Sequence, residues 1–487
     1  MKREYKSNLI NFIFSIFISL SLAIFFILQA QNLTISLVFL YIFTSLIFLK
    51  MVFDFKSLKE SLLSFIIVTS FFGSYLRVYN KTYLPVYRVC LIVLILIEIA
   101  ELIRNIILKI KKSDFNLLVN TLMKLLKTKV SYLFLLICVF TIYGLLSYFR
   151  LDKISYWNYQ YLAFLLQGFL ISLFIVFIFN TRAIYKVINN YLYISIFTIL
   201  FVSLIEVFFK RHLPEIKEGI SAHIPVAFYY NPNNFGLILS VLLPFVYLKD
   251  KEFSIKKVHD FLITILFVFI IVIIGSRLSI IAVSIFLFLS LFLQQYRVKL
   301  LNLIVVFSFL TFFVSLLYRK LYLLVSQITG AVVSLFNSGI YEVSENVRLQ
   351  LYRLGLKEML KNPLGHGPGG AEYFYSNFKD SLGNMINPHS LWVEIGVNFG
   401  LIGFLSFTCF YGGLLYLLIK KRLWCETNNK NYIKYLLNYL IFSLLVYPIV
   451  SFSPSSNIYP HILPWIIYGF ALNLLTKSEN NYYAKAA

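Results

Sequence analysis

Residues 387–419 read NPHSLWVEIGVNFGLIGFLSFTCFYGGLLYLLI, a short polar start followed by a long apolar run that contains one carboxylate. A hydrocarbon core of about 30 Å needs roughly 20 apolar residues in one helix, so this stretch predicts a membrane-spanning helix. His389 and Glu394 lie at its start. Because ionisable groups are costly at that depth, both are candidates for a functional role.

The composition extends this prediction to the whole chain. Hydrophobic residues make up 60% of it, charged residues only 13%, and the mean hydropathy is +0.80. These values exclude a water-soluble globular protein. We predict an all-α, polytopic membrane helix bundle with about 14 transmembrane helices and both termini in the cytoplasm. The predicted spans are 9–30, 33–49, 61–76, 86–102, 131–149, 161–179, 191–209, 235–248, 261–274, 278–293, 303–324, 391–419, 435–450 and 462–475.

The net charge of +23 does not indicate a nucleic-acid partner. If the predicted spans alternate from a cytoplasmic N-terminus, most of the 44 Lys and Arg residues fall on the cytoplasmic side, as the positive-inside rule expects. The most basic stretch, residues 104–129, falls there too, where anionic lipid headgroups attract it. We therefore expect membrane lipids, and no nucleic acid, as partners.

The same alternation divides the chain into five segments. Residues 325–388 form a long extracytoplasmic loop, in which residues 344–361 read as an amphipathic helix against the outer membrane surface, with Ser344 as its cap. The segments are 1–230 (N-terminal transmembrane helices), 231–324 (transmembrane helices with an outer turn at Arg277), 325–388 (the loop), 389–475 (C-terminal transmembrane helices) and 476–487 (a cytoplasmic tail whose final AKAA reads as a cloning remnant).

An outer arginine is the next candidate. The sequence Gly275-Ser276-Arg277-Leu278-Ser279 is a polar break between two apolar runs, and it places Arg277 at the start of a helix. Backbone N–H groups at a helix N-terminus favour anions, so an anionic substrate would explain an arginine on this side. The alternative is an arginine that extends to the lipid headgroups.

Four short motifs follow one another in the C-terminal half of the chain. They are Asn231-Pro232-Asn233-Asn234-Phe235-Gly236; Ser276-Arg277; Arg348 and Tyr352 before Asn362-Pro363-Leu364-Gly365-His366-Gly367; and His389 before Gly396 and Gly400 to Gly403. In this order, over roughly residues 231–403, they resemble the superfamily of O-antigen ligases and O-antigen polymerases. The resemblance implies transfer of a glycan from an undecaprenyl-diphosphate carrier to an acceptor hydroxyl outside the cytoplasmic membrane.

The resemblance also implies roles for particular residues. Two arginines and a histidine are the key residues of the family, and the matching positions are Arg277, Arg348 and His389. The chain departs from the common family pattern at three positions. It has Ser390 where asparagine is frequent, Tyr352 where tryptophan is frequent, and Leu278 where glycine is frequent.

The chemistry of these residue types agrees with the implied roles. Guanidinium groups pair with phosphate through two parallel hydrogen bonds and stay charged, so Arg277 and Arg348 are expected to bind the diphosphate. Arg353 is expected to assist, or to face water. His389 is the expected general base, with His366 as an alternative base.

Further residues are expected to support the reaction or to bind the acceptor. They are Asn234, Tyr352, His366 and Glu394. The outer loops contain no Asp-rich metal motif, so we expect no metal and no other cofactor.

Two alternatives stay open at this stage. A ligase would deliver the glycan to lipid A core or another non-carrier acceptor, whereas a polymerase would deliver it to a second lipid-linked repeat unit. A transporter of lipid-linked glycan is the rival from another class, because Glu98, Glu101 and Glu206 are intramembrane carboxylates of the kind that transporters use. Besides the lipid-linked donor and the glycan acceptor, a chain-length regulator is a candidate partner.

Overall fold

The computed structural model of the protein describes residues 45–55, 57–72, 85–108, 129–151, 154–210, 212, 223–229, 231–247, 254–292, 343–378, 387–428, 430–452 and 461–476. The regular elements of these residues are helices. They are α1 (Leu58–Ser70), α2 (Val86–Leu108), α3 (Lys129–Leu146, with a 3-10 turn Ser147–Arg150), α4 (Tyr156–Ile178), α5 (Thr181–Lys186, with a π turn Val187–Leu192), α6 (Tyr193–Phe209), α7 (Pro232–Tyr247), α8 (Ser254–Ile274), α9 (Arg277–Phe292), α10 (Val343–Lys361), α11 (Gly370–Ser376), α12 (Leu391–Thr427), α13 (Asn431–Val450) and α14 (Leu463–Thr476).

The predicted all-α, polytopic membrane fold is confirmed. Each predicted span that lies within the described residues overlaps helical structure. Five described helical stretches are long and apolar enough to cross a membrane, namely Val130–Arg150, Asn158–Ile178, Thr181–Phe209, Leu391–Thr427 and Tyr432–Val450. The predicted spans 9–30 and 303–324, and most of 33–49, lie outside the described residues.

The core of the bundle is built from packed pairs of apolar helices, of which α7 and α13 are antiparallel and α4 and α14 are parallel. In the pair α7 and α13, the Ser443 hydroxyl donates to the Val241 carbonyl at 2.8 Å, and the Phe245 and Tyr439 rings lie 5.7 Å apart. Moving four residues forward on α7 thus corresponds to moving four residues back on α13. Hydrogen bonds from small polar side chains to carbonyls of another helix are a common means of joining helices in a membrane.

Helices α4 and α14 are joined by hydrogen bonds of the same kind, from polar side chains to backbone carbonyls. Ser172 on α4 donates to the Trp465 carbonyl of α14 at 2.6 Å. In return, the fully buried Asn473 amide donates to the carbonyls of Ile175 and Phe179, at 2.8 Å each, near the end of α4. Carbonyls at a helix end lack intrahelical partners, so this amide satisfies groups that would otherwise be costly to bury.

The stretch that predicts one span over residues 391–419 forms two helical parts instead. Gly400 has φ 61° and ψ −161°, which breaks α12 between residue 399 and residue 401. A carbonyl from another segment fills the break, since the backbone N–H of Leu401 donates to Pro363 at 2.8 Å. A Cβ at position 400 would lie 2.2 Å from that same carbonyl oxygen. Only glycine combines this backbone conformation with such a close approach.

Helix α10 confirms the amphipathic helix predicted at residues 344–361, and its first described residue is Val343. The side chain of Ser344, the predicted cap, lies outside the described side chains. The buried side of α10, with Val347 and Leu351, packs on α11 and on the first part of α12. The packing of this side against protein is the reason that α10 lies next to His389.

Candidate functional site

Arg348, Tyr352 and His389 lie together where α10 meets the start of α12. The Tyr352 hydroxyl donates to the backbone carbonyl of His389 at 3.1 Å. Burial raises the pKa of Tyr352, and the charge of Arg348, one helical turn away, opposes that rise. Arg348 is half-buried, and its Nε is buried without a hydrogen-bond partner among the described residues. The structure therefore joins the third and fourth sequence motifs through Tyr352.

The backbone at His389 is unusual. His389 has φ 51°, which lies in the left-handed region, whereas the next residue, Ser390, is extended and caps α12 through its hydroxyl. A residue other than glycine in this region costs on the order of 1 kcal/mol or more, so surrounding contacts must hold it there. Such outliers cluster at functional sites.

Asn234 and Arg277 are brought together at the starts of two other helices. Gly236 on α7 packs directly on α9, because a Cβ at position 236 would lie 2.6 Å from the Ser279 hydroxyl and 3.2 Å from the Ser276 Cβ. Arg277 is the first residue of α9, and Ser276 accepts the first backbone hydrogen bond of that helix, from the N–H of Ile280. The first and second motifs therefore form one close helix contact.

These two groups of residues occupy the same end of the bundle. Extending the antiparallel register of α7 and α13 to their ends places Pro232 beside Phe452, which lies two residues after the last residue of α13. The Phe452 ring in turn contacts the Tyr352 ring, with centroids 5.9 Å apart. We call this end, with Asn234, Arg277, Arg348, Tyr352 and His389, the arginine end.

Arg353 lies on a different side of α10 from Arg348. It is exposed, whereas Arg348 is half-buried. At 100° per residue, five positions along a helix correspond to a rotation of about 140°. Of the two predicted options for Arg353, the structure gives the one that faces away from the protein. Its neighbours on this side include Leu356 and Leu360, which are 51% and 73% exposed.

His366 is engaged within the turn that follows α10. Its Nε2 lies 2.9 Å from the Glu358 carboxylate, and its ring stacks on Phe374 at 5.4 Å. Its backbone N–H donates to the Val397 carbonyl at 3.0 Å, next to the break at Gly400. These contacts describe a histidine that fixes the turn onto α12.

Glu394 is fully buried in the first turn of α12, five residues after His389. It accepts a short hydrogen bond from the Tyr161 hydroxyl on α4. The pKa of Glu372, on α11, is raised to about 7. Burial is the larger cause, and the negative charge of Glu394 is the smaller one. Sequence reasoning missed Tyr161 and Glu372, because neither lies in a recognisable motif and their proximity depends on packing between distant segments. Glu394 therefore acts on the half-buried carboxyl group of Glu372 as well as belonging to the first turn of α12.

Glu206, one of the carboxylates that suggested a transporter, stabilises a loop. It is fully buried and accepts hydrogen bonds from the backbone N–H groups of Val226 and Ala227 at 2.8 and 2.7 Å. His212 Nδ1 lies 3.6 Å from its other oxygen. This loop leads directly into the start of α7, so Glu206 supports the segment that carries Asn234.

The other two such carboxylates form ion pairs at the opposite end of the bundle. Lys59 lies 2.8 Å from Glu98 and 2.6 Å from Glu101. Within the described parts of the chain, no three His, Cys, Asp or Glu side chains are grouped closely enough to hold a metal ion.

Comparison with known proteins supports the resemblance found in the sequence. Residues 262–408 match the family Wzy_C, described as O-antigen ligase, and this range includes Arg277, Arg348 and His389. The teichuronic acid biosynthesis protein TuaE of Bacillus subtilis (strain 168) is 25% identical over 359 residues, which cover 69% of this chain and 71% of that protein. Together with the four motifs and the apolar helices, these matches support the similarity of this multi-pass membrane protein to the superfamily of O-antigen ligases and O-antigen polymerases.

Proposed function

We propose that this protein is a membrane glycosyltransferase of the O-antigen polymerase type. It transfers a glycan from an undecaprenyl-diphosphate carrier to a sugar hydroxyl of a second lipid-linked repeat unit, on the outer side of the bacterial cytoplasmic membrane. The observation that carries this proposal is the hydrogen bond from Tyr352, one helical turn after Arg348 on α10, to the backbone of His389. It puts a group suited to a diphosphate beside a group suited to removing a proton from a hydroxyl.

The arginines bind the leaving group. Negative charge grows on the diphosphate as the glycosidic bond breaks, and cations already in place stabilise that charge. The buried Nε of Arg348, which lacks a hydrogen-bond partner among the described residues, is available to donate to a phosphate oxygen. Arg277 lies at the first turn of α9, where backbone N–H groups add to the attraction for an anion. Exposed Arg353 is assigned only an assisting role.

His389 is the general base. The acceptor oxygen attacks the anomeric carbon, the bond from that carbon to the diphosphate oxygen breaks, and His389 takes the hydroxyl proton. Proton transfer of this kind contributes about 10² to 10⁴ in rate. One displacement without a covalent glycosyl-enzyme inverts the anomeric centre. We propose that the step needs no metal, which transfer in the presence of EDTA tests.

The remaining residues are given supporting roles. The Asn234 side-chain oxygen is buried without a hydrogen-bond partner among the described residues, so it suits a sugar hydroxyl donor. His366 is a less suitable base than His389, since Glu358 already holds its Nε2. Glu394, bound by Tyr161, supports the first turn of α12.

The charge distribution supports an outward-facing arginine end. The opposite end carries Lys50 and Lys59 together with the basic run Lys420, Lys421 and Arg422. It is one surface, because the Tyr432 ring near that run contacts the Tyr185 ring at 4.6 Å between centroids. Five residues before Tyr185, the Asn180 amide donates to Glu60, next to Lys59, at 2.9 Å. Basic residues collect on the cytoplasmic side of membrane proteins, so the arginine end faces outward.

The experiment that tests this proposal supplies purified protein with lipid-linked repeat units as the only substrate. A ladder of products of increasing length means polymerisation. The absence of any product, followed by transfer when a different acceptor is added, would replace the polymerase by a ligase.

The ligase is the second candidate because the matching family carries that description. It needs the same donor site and the same base, and it differs only in the acceptor. The relative is named only for teichuronic acid biosynthesis, so its name does not decide between the two reactions. A candidate chain-length regulator would be relevant only to the polymerase.

A further inference from the structure

We propose that Tyr352 is a positioning residue that fixes His389 in the conformation needed for proton transfer. Its hydroxyl donates to the backbone carbonyl of His389 and thereby orients the peptide unit between His389 and Ser390. The proposal rests on the proposed function, in which His389 is the base.

The need for such a contact follows from the backbone of His389. A φ of 51° is unfavourable for a residue with a side chain, so the segment would relax toward an ordinary conformation if nothing opposed it. Pro388 before it restricts the chain on one side, and the Ser390 cap of α12 fixes it on the other. The Tyr352 bond acts on the residue between these two constraints, and it therefore controls where the imidazole points.

Tyr352 is itself held firmly enough to act in this way. Its ring is half-buried and makes an edge-to-face contact with Phe452 at 5.9 Å. The preceding residue, Leu351, is fully buried in the small core that α10 forms with α11 and α12. Tyr352 thus transmits the position of α10, which also carries Arg348, to the base on α12.

The test compares two tyrosine-to-phenylalanine variants. Tyr352→Phe keeps the ring and its contact with Phe452 but removes the hydroxyl. Tyr375→Phe is the matched control, because the Tyr375 hydroxyl also donates to a backbone carbonyl of this unit, that of Leu351 at 2.9 Å, without a described contact to His389. A general loosening of the α10 to α12 packing would affect both variants alike.

The expected result separates kcat from KM. Tyr352→Phe should lower kcat about tenfold, which corresponds to about 1.4 kcal/mol, with KM for the lipid-linked donor within twofold of wild type. Tyr375→Phe should keep kcat within twofold. An unchanged kcat in Tyr352→Phe, an equal fall in both variants, or a rise in donor KM as the main effect would overturn the proposal. The last result would mean that Tyr352 acts on Arg348 instead.

A second measurement does not depend on the proposed reaction. Diethylpyrocarbonate modifies imidazole groups, and peptide mass spectrometry measures the rate at each histidine separately. His389 should change its modification rate at least threefold in Tyr352→Phe and not in Tyr375→Phe, whereas His366 should be unchanged in both. Equal rates at His389 in wild type and Tyr352→Phe would refute the positioning role, even for a preparation that shows no transferase activity.

Discussion

The two ends of the bundle treat their charges differently. At the end opposite the arginine end, lysines pair directly with carboxylates, as Lys59 does with Glu98 and Glu101. At the arginine end, the buried carboxylates have other partners, since Glu206 binds backbone N–H groups and Glu394 binds a tyrosine hydroxyl. The first arrangement ties helices together. The second leaves the Arg348 Nε without a hydrogen-bond partner among the described residues, which suits the proposed diphosphate site.

Among the variants at the two ends of the bundle, His389→Ala should cause the largest loss of transfer. Loss of the base should lower transfer by about 10² to 10⁴, because the acceptor hydroxyl is a poor nucleophile without it. Binding of the undecaprenyl-diphosphate donor should stay within about threefold of wild type, since the arginines supply that affinity. Product formation and donor binding are measured on the same preparation. Near-normal turnover of the variant would remove His389 from the mechanism.

Arg348→Lys and Arg277→Lys should have the next largest effects. Lysine keeps the charge but loses the two parallel donors of the guanidinium, so each variant should lose about 10- to 100-fold in kcat/KM. Arg353→Lys is the matched control on α10, and it should stay within about threefold because Arg353 is exposed. Initial rates at several donor concentrations measure the effects. Full activity of both Arg348→Lys and Arg277→Lys would show that neither site needs the two parallel donors of a guanidinium group.

Glu372→Gln should change stability more than rate. The pKa of Glu372 is raised from 4.5 to about 7 in the folded protein, so the folded state holds the proton more tightly than the unfolded state. The contribution of the Glu372 carboxyl to the free energy of unfolding is fully present below about pH 4.5 and is lost as the pH rises through 7. Glutamine stays neutral, so the variant should be more stable than wild type at pH 8 by on the order of 1 to 2 kcal/mol, after allowance for solvent.

Thermal unfolding of wild type and Glu372→Gln at pH 5 and pH 8, in the same detergent, measures this difference. The wild type should lose more stability than the variant between the two pH values. Parallel pH dependence of the two proteins would mean that Glu372 is not shielded from solvent as described.

Lys59→Ala should have the smallest effect. The side chains of Lys59, Glu98 and Glu101 are 21%, 34% and 51% exposed, and ion pairs of that exposure contribute at most about 1 kcal/mol. The melting temperature should fall slightly, and kcat should stay within about twofold of wild type. A strong loss of transfer in this variant would contradict the division of the bundle into a structural end and a reactive end.

The sequence predicted the helices well, because an apolar run that crosses a membrane is a property of consecutive residues. It did not predict the break in α12, since Gly400 within GLIG looks like any glycine in a membrane helix. The break depends on the turn that contains Pro363, about forty positions earlier. Glu372 was missed for the same reason, as its burial arises from packing between distant segments.

The candidate site likewise combines residues that local motifs identify with a contact that only the packing of distant segments creates. Arg277, Arg348 and His389 could be selected from local motifs, and their roles remain predictions. The orientation of Arg353 followed from helix periodicity only as one of two options, and the exposed option is the one observed. The contact between Tyr352 and His389 could not be selected, because no local pattern relates residues 37 positions apart.

The break at Gly400 also has a consequence for the order in which the protein is made. The second part of α12, after Gly400, is apolar and long enough to enter the membrane as soon as it is synthesised. The first part, which begins next to His389, reaches its final place only when the turn at residues 362–370 docks into the break. This docking brings the turn at residues 362–370 into contact with Gly400 and so closes the loop of chain between them. Contacts between residues distant in sequence form slowly, so we expect this step to be slower than helix insertion. We therefore expect a newly inserted chain to have its membrane helices before it has an ordered base, and activity to appear after insertion is complete.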